Sequence, residues 1–299
     1  MISRKNDPSI YVDAQGQEVT AHGTSNFPLD CYEIQLGSGF VEWHWHDDWE
    51  IILVRNGMVY VCTASGKWTV SAGQAMFFGP ECVHEITGGS PDSMFHSAVF
   101  HPRFLASQGS LIWQKYVQPL QKVGCVPLFP EIPWQEECIL LFKECLLAFD
   151  NTPSFYEIQT REALTKLASL LSTRLDFQQY ALSVNEVRNN QRIHTMLQFI
   201  HAHYGEEIHV SDIAACAMLS RSECLRCFHN TIHTTPNQYL KDYRLQAAAQ
   251  MLVSTNKKLG DIGAACGMPD AAYFTKLFRE AMGCTPGEYR KGQQAKEID

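Results

Sequence analysis

Two groups of residues in this chain have the types and spacings that chemistry requires. The first is His44-Trp45-His46-Asp47-Asp48-Trp49-Glu50, with His84 further along. Side chains alternate along a β-strand, so His44 and His46 share one face. Three imidazoles and the Glu50 carboxylate, brought from neighbouring strands, make a donor set for a divalent metal. The same four residues, His44, His46, Glu50 and His84, could instead touch a small-molecule effector, or line the mouth of a barrel with no ion bound. No cofactor is expected; a divalent metal on those four residues is the alternative kept beside that reading. The second group is Cys224-x-x-Cys227 with His229 and His233. No further cysteine pair follows at finger-like spacing, so these thiols read as small core residues rather than zinc ligands.

The last third of the chain repeats itself. Cys216-Ala217-Met218 matches Cys266-Gly267-Met268, Phe228 matches Phe278, Thr235-Pro236 matches Thr285-Pro286, and Tyr239 matches Tyr289, each at an offset of 50. A period of this length marks a duplicated supersecondary unit. A first helix is predicted over Ile193–Tyr204, with Ile193, Leu197 and Ile200 inward. Ser211 then caps a short helix, Asp212–Ala217, and Ser220 caps a longer one running to Ile232. In the second copy the helix Asp261–Cys266 leads through Gly267-Met268-Pro269 to Asp270, which caps a helix to Met282 closed by Gly283. Thr235-Pro236 and Thr285-Pro286 each start another helix, with the hydroxyl as cap and Pro at the first helical position. Helix, tight turn, helix is the shape that places a reading helix in a DNA groove.

Periodicity assigns the faces. Cys224, Cys227, Phe228 and Ile232 form the inner stripe of the first reading helix, leaving Arg221, Ser222, Leu225, Arg226 and His229 outward. In the second, Phe274, Leu277, Phe278 and Ala281 are inward, leaving Ala271, Ala272, Thr275, Lys276 and Arg279 outward. Arg226 and Lys276 are the candidates for base readout, since an Arg fork can pair with guanine. His229 and Arg279 are candidates for phosphate contact, and Ala271 and Ala272 for apolar contact with thymine methyls.

Residues 190–291 are similar to the DNA-binding domain of AraC/XylS-type transcription regulators. The carrying residues are Arg244-x3-Ala248-x2-Met251-Leu252, Asp261-Ile262, Gly267, Asp270, Tyr273-Phe274, Lys276, Phe278-Arg279, Gly283, Thr285-Pro286 and Tyr289-Arg290. His233 stands where that family has a helix-ending Gly, and Cys224 where it has Leu. The resemblance implies a sequence-specific regulator that binds double-stranded DNA and works with RNA polymerase. It also implies a homodimer, an activator rather than a repressor, and a sugar-like effector.

The elements that must position the first group lie between Tyr32 and Phe100. There, short β-branched and aromatic runs alternate with Gly, Asn and Pro. Trp49–Val54, Met58–Thr63, Lys67–Val70 and Ala75–Phe78 are predicted strands, with hairpin turns at Asn56-Gly57 and Ser65-Gly66. The spacing predicts an antiparallel sandwich or barrel, with Trp43, Trp45, Trp49 and Trp68 as candidate cavity walls. A His-x-His pair, then Glu after three residues and Gly57 after six more, resembles the first motif of the cupin barrel; Pro80 and His84 carry a weaker likeness to its second. The rival function this implies is a metal-dependent cupin enzyme fused to a DNA-binding tail; the reading preferred here is not an enzyme. Two helices follow, Trp134–Phe149 and Tyr156–Leu175, with Ser154 a candidate cap. The expected organisation is therefore two domains. Residues 1–175 form an all-β cupin-like barrel with an appended helix pair, for sensing and dimerisation. Residues 176–191 are a polar linker, and residues 192–292 an all-α domain with two helix-turn-helix units.

Composition sets the limits. The net charge is −8, yet residues 190–299 hold 12 basic and 11 acidic side chains against 12 and 21 in residues 1–189. Attraction to phosphate must then come from a local patch. Eleven cysteines at irregular spacings fit a reducing compartment. The longest apolar run, Ile213–Leu219, is far short of the ~20 residues a spanning helix needs. Met1–Pro8 offers no apolar leader. A cytoplasmic protein with no membrane partner is expected.

Overall fold

The strand Trp49–Asn56 is buried over its first six residues because both of its faces are covered, and that explains the N-terminal half. The computed structural model describes residues 22–296; Met1–Pro8 and the first part of the expected sensing domain lie outside them. The chain divides into two compact units at Gln191/Arg192. Unit 1 holds two antiparallel sheets. Its strands are β1 (Leu29–Gln35), β2 (Phe40–His44), β3 (Trp49–Asn56), β4 (Met58–Thr63), β5 (Gly66–Ser71), β6 (Ala75–Phe78), β7 (His84–Gly88), β8 (Met94–Phe100) and β9 (Cys125–Leu128). One sheet runs β1-β8-β3-β6-β9 and the other β2-β7-β4-β5. All four predicted strands are present, and Gly57 (φ 63°) takes the left-handed turn between β3 and β4.

Alternation along β3 sorts its side chains. Ile52 and Val54 face the second sheet, in a core shared with Val59, Val61, Ile86 and Phe95. Trp49, Ile51 and Leu53 face the other way, under α1 (Pro133–Asn151) and α2 (Tyr156–Arg174), against Phe142, Leu146, Leu164 and Leu171. Trp49 is thus not a cavity wall: it packs edge-on to Phe77 and Phe100 outside the barrel. Trp68 does pack against the core between the sheets. The helix α2 starts from Phe155 without a side-chain cap, so Ser154 does not cap it.

The polar stretch after α2 is more ordered than its composition suggests. It contains α3 (Phe177–Tyr180) and the start of α4 (Val184–His203), well ahead of the expected Ile193. Ser183 and Glu186 form a reciprocal cap: the Ser183 N–H donates to Glu186 Oε2 (2.8 Å), and the Glu186 N–H to Ser183 Oγ (3.2 Å).

Unit 2 continues with α5 (Val210–Cys216), α6 (Arg221–Ile232), α7 (Pro236–Ser254), α8 (Leu259–Ala265), α9 (Ala271–Met282) and α10 (Pro286–Lys296). Ser220, Thr235 and Asp270 cap α6, α7 and α9 as expected. Ser211 does not cap α5; the helix begins at Val210, two residues before the expected Asp212, and Asp212 accepts from the His209 N–H at 2.7 Å. Ala281 is exposed, since at the end of α9 the inner stripe has already passed to Met282.

The two copies align differently from the sequence match. Backbone bonds Leu219 N–H to Ala214 O and Met218 N–H to Ala215 O recur as Met268 to Gly263 and Gly267 to Ala264. Left-handed φ falls at Met218 (56°) and Gly267 (70°). Ahead of the turn the offset is therefore 49, pairing Asp212-Ile213 with Asp261-Ile262. Pro269 is the extra residue that restores 50 at Ser220 and Asp270. Met218, 94% exposed, corresponds to Gly267, not to the buried Met268.

Candidate functional site

The outward residues of the two reading helices are where periodicity puts them. Arg221, Ser222, Leu225, Arg226 and His229 on α6 are all exposed, as are Ala271, Ala272, Thr275, Lys276 and Arg279 on α9. Beneath them Cys224, Cys227, Phe228 and Ile232, and Phe274 and Phe278, are buried. The extra Pro269 precedes the caps, so it leaves the reading helices in step. Arg226 stands six residues past Ser220 and Lys276 six past Asp270; His229 and Arg279 follow three later. Lys276 Nζ lies 4.0 Å from Glu280 Oε1 at the surface, a weak pair that a phosphate or base could displace. The Thr275 hydroxyl donates to the Ala271 carbonyl (2.7 Å), so its methyl is the part left outward. Within unit 2, between the two helix-turn-helix pairs, α7 spans about 28 Å at ~1.5 Å per residue.

Two arginines that the repeat alone did not assign a task hold this unit together. On α7, Arg244 donates from Nε to the Tyr204 carbonyl (2.7 Å) and from Nη2 to the Glu206 carbonyl (2.6 Å). On α10, Arg290 does the same for the carbonyls of Leu252 (3.1 Å) and Lys257 (2.8 Å). Each satisfies carbonyls at or just beyond the C-terminal end of a helix. Cys224 and Cys227 are buried core thiols, with burial pushing Cys224 up to about 12; among the described residues neither belongs to a cluster with metal-ligand geometry.

In unit 1 the histidine–glutamate group, the first of the two read from the sequence, comes together. One ligand atom each from His44, His46, Glu50 and His84 lies within 4.8 Å of the other three, and all four residues are buried. His44 ends β2, Glu50 sits near the start of β3 and His84 starts β7, directly opposite His44 in register. His46 lies past the end of β2 rather than on it; the Glu81 N–H, from the left-handed turn before β7, donates to its carbonyl at 2.9 Å.

Every imidazole is oriented by its own neighbourhood. The Nδ1 atoms of His44, His46 and His84 lie 2.7, 2.8 and 2.9 Å from the carbonyls of Glu42, Asp48 and Cys82. A carbonyl only accepts, so each Nδ1 carries the proton and each Nε2 faces inward. Glu50 Oε2 lies 3.3 Å from His46 Nε2 and 3.2 Å from His84 Nε2. Glu50 Oε1 accepts from the Ser97 hydroxyl on β8 at 2.5 Å. Burial pushes the Glu50 carboxyl up, but the His46 and His84 imidazoles outweigh it and hold the group well below the usual carboxylate range. Ser97 and the three carbonyls are partners that the sequence pattern does not reveal.

The chain was compared with known proteins. A model described as an AraC-like ligand binding domain matches residues 28–136, and one described as a helix-turn-helix domain matches residues 213–292. An uncharacterised HTH-type transcriptional regulator of Bacillus subtilis (strain 168), YdeC, is 29% identical over 294 residues, covering 95% of this chain and 98% of that protein. The HTH-type transcriptional activator RhaS of Enterobacter sp. (strain 638) is 27% identical over 269 residues, covering 84% and 88%. A solved transcriptional regulator from Chromobacterium violaceum, described as containing an AraC-type DNA-binding domain, is 28% identical, with the match covering 36% of this chain and 96% of that one at a TM-score of 0.34. Among the described residues no helix is long and apolar enough to cross a membrane.

Proposed function

The chain belongs to the AraC-type transcription regulators, DNA-binding proteins with a ligand-binding domain, and from that premise we propose how its own residues divide the work. Helices α6 and α9 enter successive major grooves of one duplex. Arg226 pairs with a guanine edge and Lys276 reads a base at the matching position. His229 and Arg279 hold phosphates and fix register. Arg221, Ser222, Leu225 and Thr275 flank these contacts, and Ala271 and Ala272 meet thymine methyls. Unit 1 takes a small-molecule effector, sugar-like in class, and a second copy of the chain pairs along the α1–α2 face. The outcome is activation, as the name of the RhaS relative suggests, and it works through RNA polymerase in the cytoplasm.

The observation that supports this reading is the match between the two exposed faces: basic residues at equal distances from each N-cap, on helices whose inner stripes are equally buried. The test is footprinting of the full-length protein on the promoter beside its own gene, followed by Arg226→Ala. Loss of one bidentate base contact should cost about 1–3 kcal/mol at the specific site while binding to random duplex stays nearly constant. Equal losses on both would reduce Arg226 to a phosphate contact. A wild-type protein without preference for any duplex would end the regulatory reading.

A further inference from the structure

The segment between the helix pair of unit 1 and α4 is tied to the first sheet beside β9. Val123, just ahead of β9, and Ala181 form an antiparallel bridge. The Gly124 N–H donates to the Tyr180 carbonyl at 3.3 Å, and the Leu182 N–H to the Lys122 carbonyl at 2.9 Å. The next residue, Ser183, opens α4 through its reciprocal cap with Glu186. On its other side Gly124 accepts from the Gly79 N–H at 2.7 Å. Gly124 thus stands between the Tyr180–Leu182 segment and the β6–β7 loop, and its backbone serves both. Neither neighbour leaves room. A Cβ at Gly124 would lie 2.9 Å from Leu182 Cδ2, and one at Gly79 would lie 1.9 Å from the Val123 carbonyl oxygen.

The β6–β7 loop runs from that point to the buried interior. Phe78, paired with Cys125 in register, stacks on His84 with ring centroids 4.3 Å apart, and the Glu81 N–H holds the His46 carbonyl at 2.9 Å. A second route passes through β4: Thr63 faces His84 in register, and its hydroxyl oxygen lies 3.6 Å from Cys125 Sγ. We propose that Tyr180–Leu182 is a releasable strap, its docking on Lys122–Gly124 coupled to the β6–β7 loop, so that a shift of that loop frees the chain ahead of α4. Two backbone bonds close the bridge, and Ala181 and Ser183 are exposed. That places the strap at the low-stability end of a unit whose β3 and β6 are buried. A shift is passed on where an element has two arrangements, and docked and undocked strap are those two. Close packing supplies the push: Gly79 has no space toward Val123, so a loop that moves toward β9 displaces the Val123-Gly124 peptide and both strap bonds with it. The reading of unit 1 as the ligand-binding half enters only as the source of what moves the loop. The coupling itself belongs to unit 1 and needs neither duplex nor effector.

Hydrogen exchange of the full-length protein, read amide by amide by mass spectrometry, is the test. Leu182→Pro deletes the donor to Lys122 and leaves the loop sequence intact. Exchange at Gly124 should speed by about 3–10-fold, the loss of one backbone bond. Coupling is reciprocal, so exchange at Glu81, bonded to His46 rather than to the strap, should also speed by at least about 2-fold. Gly79→Ala pushes from the loop side, and there Leu182 and Val187, the latter in the first turn of α4, should exchange faster. Ile52 in β3 and Phe278 in unit 2 should keep wild-type rates in both variants, which establishes that both are folded. An unchanged Glu81 in Leu182→Pro overturns the proposal whatever Gly124 does, and decides the matter alone if Gly79→Ala does not fold. An unchanged Leu182 in a folded Gly79→Ala overturns it too. Either failure leaves the reading of α6 and α9 as DNA-contacting helices untouched.

Discussion

The register shift between the two DNA-reading units can be tested by stability alone. At an offset of 50, Met218 would match Met268, which is 3% exposed, and Met218→Gly would open a hole costing about 2–5 kcal/mol. At the structural offset of 49 it matches Gly267, and the sign reverses. The Met218 side chain is 94% exposed, so its removal forfeits almost no burial. A left-handed conformation costs an L-residue about 1–2 kcal/mol. The extra freedom of Gly in the unfolded chain returns roughly 0.5–1 kcal/mol of that. Met218→Gly should therefore stabilise unit 2 by about 0.5–1 kcal/mol. Gly267→Ala is the mirror experiment. Its φ of 70° brings the same strain, and the new Cβ would sit 2.6 Å from the Tyr204 carbonyl oxygen and 2.7 Å from the Arg244 guanidinium carbon. Moving that guanidinium weakens its two carbonyl contacts, so the total loss should be about 2–4 kcal/mol. Urea unfolding followed by far-ultraviolet circular dichroism reads both. All six tryptophans fall between residues 43 and 134, so fluorescence reports unit 1 only and serves as the internal control. A fall in the helical midpoint for Met218→Gly worth more than ~1 kcal/mol would refute the register.

Two further outcomes follow from named groups in unit 2. His201 is buried against Tyr243 and Tyr239, and burial pulls it down from 6.5 to about 3. The unfolded chain then binds the extra proton first. Stability is whole above pH 6.5 and falls as pH drops, by about 2 kcal/mol at pH 5, and His201→Gln should flatten that slope in urea melts between pH 5 and 7.5. Arg244→Ala removes both bonds to the carbonyls of Tyr204 and Glu206, which should cost about 2–3 kcal/mol. Arg244→Lys should recover less than half of it, because an ammonium lacks the fork that spans both carbonyls; thermal melts of the three proteins decide.

Much of this architecture was legible because local rules and tertiary context agree. The strands from Trp49 to Phe78 were readable from β-branched runs closed by Asn-Gly and Ser-Gly. The caps Ser220, Thr235 and Asp270 were readable from side-chain type and position. Where context intervened, the pattern misled. Alternation fixes that Trp49 and Glu50 face opposite ways, but not which face is the barrel interior when helices cover the other. The start of α4 was masked by its polarity, although Ser183-x-x-Glu186 was a local signal for it. Ahead of the turn the offset of 50 rests on a chance Cys-x-Met echo, while Asp-Ile at 212 and 261 carries the register that the backbone bonds show.

The two sites differ in what a sequence can say of them. A reading helix exposes its working residues on one stripe, so periodicity alone separates Arg226 and His229 from Cys227 and Phe228. A buried donor set is different: its residue types were visible, but its chemistry turns on which imidazole nitrogen faces inward. That is decided by the carbonyls of Glu42, Asp48 and Cys82, and every residue has a carbonyl. The carbonyls that matter lie two residues from each histidine, and the bulge in β2 between Val41 and His44 helps bring that strand's end into place. Backbone geometry of that kind leaves no mark in residue type.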